Sequence, residues 1–513
     1  MKKFQSVQVT RPKRNAFDLS HEKKLSCNMG ELIPIYLEEI VPGDKFKVSS
    51  EILLRFAPLI SPVMHRINVF THYFFVPNRL TFSGWEDFIT GGEDGTDNTT
   101  FPTVACSSFW WQYFGNGSLA DYFGIPTVSA EPTNYVPLSA LPFRAYQLIY
   151  NEYYRDQNLE EPVQVDIGTT VPAADRILTI RQRAWEKDYF TSALPWAQRG
   201  GEVGIPVDFN YLDTSMVVNT DGSTHAGIAN LQQTDQNELQ TVETSQIKPA
   251  RVENLEEEGV SVSINELRKA SRLQEWLEKN ARAGSRYIEQ ILSHFGVRSS
   301  DARLQRPEYL GGGKTPVVIS EVLQTGQTSS DDNNPLGANS PQGNMAGHGI
   351  AIGRTNTFSK SFEEHGYVIG IMSILPRTAY QQGYDRMWLK YDKFDYYWPE
   401  FAHLGEQEIK KEELWFDFDA PQGTYGEAWG YQERYAEYKY RQSQVSGDFR
   451  DTLKFWHMGR IFTEEPVLSK EFVMADPDPR IFAVTDETDK LYVQIYNKVN
   501  ALRPMPYFGT PRL

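Results

Sequence analysis

Hydrophobic residues recur along this chain mostly in short runs broken by turn residues, the pattern of strands rather than long helices. ELIPIYLEEI, IVPGDKF and KVSSEILLRF carry β-branched and apolar residues, and Pro42-Gly43-Asp44 supplies a turn between them. Asn68 to Val76 (NVFTHYFFV) is apolar at nearly every position, which predicts a strand covered on both faces and stopped by Pro77. Tyr367 to Leu375, Trp388 to Phe394, Phe482 to Val484 and Leu491 to Tyr496 are read as further strands.

Helical spacing shows in a few places. Phe143, Tyr146, Ile149, Tyr150 and Tyr153 predict a helix within 141–157, and 175–184 reads as a short one. Ser263 followed by Glu266 forms a capping box. Behind it Leu267, Ala270, Leu273, Leu277, Ala281, Gly284, Ile288, Ile291 and Phe295 run to Gly296, which predicts a helix over 263–296, either continuous or broken in two at Gly284.

Polar stretches divide these elements. Residues 1–30 show no sustained period and read as an extended basic arm, ahead of a single domain over 31–513. Residues 90–100 and 325–349 read as surface loops. Residues 205–262 read as an exposed polar insertion that adds little to any core: seven acids lie between Asp235 and Glu258 against Lys248 and Arg251. Segments this long between strands are excursions from a sheet, not hairpins.

Composition sharpens the class. With 27 Tyr and 29 Phe the chain is too aromatic for disorder and leans toward β structure. Its two cysteines, Cys27 and Cys106, cannot build a disulfide framework. FQSVQVTRPKR holds no apolar core of a signal peptide, and VIGIMSIL is far too short for a bilayer, so a cytoplasmic folding site and no membrane insertion are expected. The net charge of −16 argues against a dedicated nucleic-acid binder, but the charge is unevenly spread. Residues 1–24 hold Lys2, Lys3, Arg11, Lys13, Arg14, Lys23 and Lys24 against Asp18 and Glu22; the last sixteen hold Lys498, Arg503 and Arg512 with no acid. Such runs are solvated tails or anion contacts.

Catalytic signals are weak. Gly311-Gly312-Gly313-Lys314-Thr315 has half of a phosphate loop, but Glu308 stands where the first glycine belongs and Pro316 follows, so it is rejected. The histidines form no HExxH pair; Glu363-Glu364-His365 and His403 with Glu406 are ordinary surface pairings. Tyr396, Tyr397 and Trp398, with Tyr431, Tyr435, Tyr438 and Tyr440, suit a core or a subunit interface better than base or sugar stacking. No catalytic site, cofactor or metal is expected. The competing classes are a β-sandwich carbohydrate hydrolase and an oligomeric binding protein.

Ordered stretches along most of the chain carry a resemblance. They are FDLSHEKK from Phe17, LIPIYLEEIVPGD from Leu32, FFVPNRL ending at Leu80, NARAGSRYIEQILSHFGV from Asn280 and DARLQRPEYLGGGKTP from Asp301. FSKSFEEHGYVIG from Phe358, YQQGYDRMW from Tyr380, FDYYWPEFAHLGEQ from Phe394, GYQERYAEYKYRQSQVSGDFR from Gly430 and RPMP from Arg503 follow. Together they resemble the major capsid proteins of the gokushovirus branch of the microviruses, and the departures fall in 205–262 and 325–345. The resemblance implies a mainly β, eight-stranded antiparallel jelly roll with long, partly helical inserted loops. It implies a virion subunit, assembled in a bacterial cytoplasm into a small icosahedral shell of identical copies around circular single-stranded DNA. Expected partners are the genome, a small basic packaging protein, an internal scaffolding protein, a DNA pilot protein and, through an outward protrusion at 205–262, a host receptor. Lys2, Lys3, Arg11, Lys13, Arg14, Arg503 and Arg512 are the expected contacts to DNA or to an inner partner.

Overall fold

The structure is a computed structural model. It describes residues 13–92, 96–106, 110–132, 136–171, 174–198, 305–323, 345–416 and 426–508, with the short pieces 217–219, 230–233, 239–243, 246–252 and 264–283. Contacts divide the chain into two compact units, one of residues 1–197 with 284–513 and one of 198–283.

In the larger unit the early strands are β1 (Asn15–Asp18), β2 (His21–Cys27), β3 (Ile33–Ile40), β4 (Lys45–Phe56) and β5 (Ile67–Pro77), followed by β6 (Thr103–Cys106) and β7 (Val136–Ser139). The smaller unit has β8 (Val217–Asn219), β9 (Asn230–Gln233), β10 (Leu239–Glu243) and β11 (Gln246–Val252), antiparallel in the order β8-β11-β10-β9, and a helix over Ile264–Ala283. The larger unit resumes with β12 (Glu308–Pro316), β13 (Val318–Leu323), β14 (Met345–Arg354), β15 (Phe358–Ser361) and β16 (Gly366–Pro376). It closes with β17 (Glu406–Lys410), β18 (Ala428–Glu433) and β19 (Leu491–Arg503).

Two antiparallel sheets dominate. One has seven strands along β1-β19-β4-β14-β13, with β2 also on β19 and β15 on β4; the other has four in the order β12-β5-β16-β3. They face each other across one apolar core: Phe46, Val48, Ile52, Leu54, Val493, Ile495 and Val499 meet Ile35, Tyr36, Tyr73, Phe75, Val368 and Met372. A polar link crosses it. The Ser50 hydroxyl on β4 lies 2.5 Å from the Tyr73 hydroxyl on β5 and donates to Asn497 Oδ1 on β19, while Asn497 Nδ2 donates to the Ile35 carbonyl at 3.1 Å. Such a satisfied network in a dry core fixes register, because a one-residue slip would strand each group.

The far face of the four-stranded sheet is covered as well. Phe74, Val76, Ile369 and Ile371 pack against Phe143, Tyr146 and Ile149 of the helix Leu141–Ile149. This double cover explains why β5 reads as apolar at nearly every position. The segment 141–157 is helical to Ile149 and then widens into a π turn over Tyr150–Tyr154.

Several expectations need correction. The supposed arm at 1–30 includes β1 and β2, both paired with the last strand; their alternation is blurred because they lie at the sheet margin. Trp388 to Phe394 is not a strand but two 3-10 turns, Arg386–Leu389 and Lys393–Asp395. Phe482 makes only an isolated bridge, to Leu59. Gly311–Lys314 lies inside β12, and β14 begins at Met345 within the supposed 325–349 loop. The helix of the smaller unit is described to Ala283; Ser263, 284–296 and 324–344 lie outside the described residues.

Candidate assembly and nucleic-acid surfaces

The pairing of β1 with β19 brings Lys13 and Arg14 to the same end of the sheet as Arg503. Asn15 sits opposite Arg503 and Asp18 opposite Asn500, so the chain enters and leaves at one end of the seven-stranded sheet. Lys13 and Arg14 are exposed there, and both Arg14 and Pro504 lie against Gly43. Lys2, Lys3, Arg11 and Arg512 fall outside the described residues.

Arg503 is placed differently from the open contact expected of it. Its guanidinium is 3.0 Å from the fully buried Asp44 carboxylate and 3.5 Å from Glu38, donates to the Glu39 carbonyl at 2.7 Å, and lies over the Phe46 ring. It ties the C-terminus to the β3–β4 turn, where Asp44 also accepts from the Val41 amide. Nothing in the sequence separates such an arginine from a free one. Only the antiparallel register brings it to the turn.

A second surface is apolar. Around the 3-10 turns that replace the expected strand, Met387, Trp388, Tyr391, Phe394 and Tyr397 are exposed, Trp388 by 65% and Tyr391 by 84%. The platform is held rigidly from beneath. Asp395 accepts from the Tyr391 and Asp392 amides at 2.9 and 2.8 Å, and these amide bonds, that of Asp392 first, hold its carboxyl below the usual range. Trp398 Nε1 donates to the Lys393 carbonyl at 2.8 Å. Lys390 pairs with Glu437 at 3.0 Å and lies 3.9 Å from the centre of the Tyr438 ring.

The tyrosines flagged in the sequence meet here, with Tyr397 on Tyr435 at 4.9 Å and Tyr435 near Tyr438. Tyr435 has φ of 64°, the single non-glycine residue with positive φ among those described, and Gln407 Oε1 accepts from its amide. That conformation costs a non-glycine residue roughly 1–3 kcal/mol and persists only where its surroundings enforce it. Below the platform, Arg386 pairs with Glu413 at 2.9 Å, and Glu413 also accepts from the Tyr189 hydroxyl. Burial raises the Glu413 pKa against the pull of Arg386. Several large exposed aromatic side chains close together in sequence, on hydrogen-bonded 3-10 turns, are the kind of surface that protein contacts use.

The residues that invited a catalytic reading are dispersed. Glu364 pairs with Arg79 at 2.7 Å, and His365 packs edge-on to Trp85. Among the described residues no three His, Cys, Asp or Glu side chains gather as a metal site, and no helix is long and apolar enough to cross a membrane. Cys27 and Cys106 are buried free thiols; burial first, then Glu31 and Asp489, drives the Cys27 pKa up.

Comparison with known proteins completes the picture. The chain is 36% identical over 594 residues to capsid protein VP1 of Chlamydia phage 1, covering 100% of this chain and 97% of that protein. It is 36% identical to VP1 of Bdellovibrio phage phiMH2K (99% and 96% covered) and 30% identical to VP1 of Spiroplasma virus 4 (98% and 95%). The family described as capsid protein (F protein) matches residues 5–513. The chain therefore belongs to the capsid protein (F protein) family as a structural, non-enzymatic protein, the kind its resemblance to gokushovirus major capsid proteins implied.

Proposed function

We propose that copies of this chain assemble into a closed icosahedral shell around a circular single-stranded DNA genome, built on an eight-stranded jelly roll. The strand orders support that fold. Taking β1 and β2 as one bent strand and β13 as an addition to β14, one layer is β1/β2-β19-β4-β14 and the other β3-β16-β5-β12, with β3, β4 and β5 alternating between layers. The long inserted loops then span 78–307 and 377–490, between β5 and β12 and between β16 and β19. Such a wedge hides strand edges and leaves loops to meet neighbours. A ring-closing contact needs a different patch on each partner, and the aromatic platform at 387–397 is one such patch.

The exposed platform carries the self-assembly reading. Two interface aromatics of this kind contribute about 2 kcal/mol or more each, so the double variant Trp388→Glu, Tyr391→Glu is expected to keep its folded spectrum while its shell yield falls more than about tenfold. Density-gradient sedimentation with electron microscopy checks this. Shells at the wild-type yield would overturn it.

The basic termini, Lys2, Lys3, Arg11, Lys13, Arg14 and Arg512, face inward in this reading and meet DNA or an inner partner. The scaffolding, DNA-packaging and pilot proteins join the subunit during assembly in the host cytoplasm. The unit around 205–262 projects outward and binds the host receptor. Particles lacking 205–262 should therefore assemble and fail to adsorb; adsorption at the wild-type rate would refute the attachment role.

A further inference from the structure

The connection from β4 to β5, residues 57–66, crosses from one sheet to the other and is held by the segment 454–460. The Met64 amide donates to the Trp456 carbonyl at 2.8 Å, and the Ser61 hydroxyl to the Phe455 carbonyl at 3.2 Å. The pair closes over the main core, to which Leu59, Val63, Met458 and Phe482 all belong. Two histidines sit in this seam, His457 buried and His65 half-buried.

The partners of His457 fix its proton. The Phe449 carbonyl, 2.7 Å from Nε2, can only accept, and the Gly459 amide, 2.9 Å from Nδ1, can only donate. The ring is therefore neutral, with its proton on Nε2 and a lone pair on Nδ1. A second proton would have to enter at Nδ1 and face the Gly459 N–H, a donor against a donor. His65 Nε2 donates to the Arg377 carbonyl at 2.5 Å.

The surroundings also oppose a positive charge. The Arg480 guanidinium spans the same segment, donating to the carbonyls of Lys454, His457 and Gly459 at 3.0, 3.0 and 2.7 Å. Its carboxylate partner, Asp478 at 3.2 Å, is more than half exposed. The charged neighbours that act on His65 are His457 and Arg480, and on His457 Arg480; each repels an added proton. Arg66 and Arg377 are exposed, as are Asp448 and Asp451 at the turn that carries Phe449. Among the described residues no carboxylate pairs with either ring. Burial first, and the cations after it, push the His65 pKa down to about 4 and hold that of His457 below its ordinary value.

We propose that this seam is an acid-sensitive latch: protonating His457 and His65 breaks its hydrogen bonds, frees residues 57–66 from 454–460 and uncovers that part of the core. The rings are held neutral in the closed form and take up a proton freely once released. The latch is therefore fully closed above a pH of about 6.5, the ordinary histidine value. Below it, each ring favours the open form by up to about tenfold per pH unit. The latch belongs to the single subunit, whatever that subunit assembles into.

Hydrogen exchange of the full-length chain, corrected for the intrinsic pH dependence of exchange, reads the opening. As the pH falls from about 7 to about 5, protection of 57–66 and 454–460 should drop more than about tenfold, while β5 and β16 keep theirs. His457→Asn keeps an acceptor for the Gly459 amide and His65→Gln a donor for the Arg377 carbonyl, and neither titrates. Protection in that double variant should hardly change with pH. Wild-type protection independent of pH would overturn the latch. So would a double variant weakened by one factor at every pH yet as acid-sensitive as the wild type, because the rings would then only pack. Should the double variant not fold, NMR titration of the rings in the wild-type chain decides: both near about 6.5 overturn the proposal, both clearly below it uphold it.

Discussion

Replacing Arg503 with Ala is expected to destabilise the subunit by about 3–5 kcal/mol, the usual consequence of removing one partner of a buried ion pair. Asp44 is fully buried, and its charge is answered by Arg503 at 3.0 Å. Without the guanidinium that carboxylate stays in the interior with only the Val41 amide in support, while the Glu39 carbonyl also loses its donor. The change should lower the urea midpoint and loosen the C-terminal end of β19, which hydrogen exchange at Ala501 and Leu502 would register. Arg503→Ala, Asp44→Asn should recover part of the loss, because it removes the orphan charge. A single variant as stable as the wild type would refute the account.

The second large effect falls on Gly30. It has φ of +85°, and a β-carbon there would stand 2.1 Å from the Ala475 carbonyl oxygen. Its own amide donates to Ile374 and its carbonyl accepts from Arg183, so the backbone is pinned on both sides and cannot retreat. Left-handed backbone alone costs an L-residue about 1–2 kcal/mol. The clash adds the cost of moving the loop that carries Ala475, so Gly30→Ala should exceed about 3 kcal/mol. Gly117 serves as the comparison: its φ is +72°, yet nothing lies within 4 Å of the added carbon. Gly117→Ala should show the backbone cost only. Equal urea midpoints for the two variants would discredit the steric argument.

What the sequence revealed depended on whether the cause was local. β3, β4, β5 and β16 were legible because their apolar periods follow directly from having one face or both in the core. β1 and β2 were not: they lie at a sheet margin, their residues are half polar, and what makes them strands is a partner more than 460 positions away. Trp388 to Phe394 misled because aromatic residues favour strands and exposed interfaces alike. Spacing cannot tell the two apart, whereas the Asp392–Asp395 capping box does. The charge of Lys13, Arg14 and Arg503 was visible in the sequence, but that β1 and β19 bring them to one end of a sheet was not, because register is a property of the pairing.

The position of β19 also governs when a subunit can exist. The last strand of the chain is central in its sheet, flanked by β4 on one side and by β1 and β2 on the other. Until those closing residues leave the ribosome, β4 exposes an open edge and the core lacks Val493, Ile495 and Val499. Contacts this distant in sequence form slowly and late. A chain that stops short of Leu491 thus lacks the central strand of this sheet, so the core can close only once the segment Leu491–Arg503 has been made.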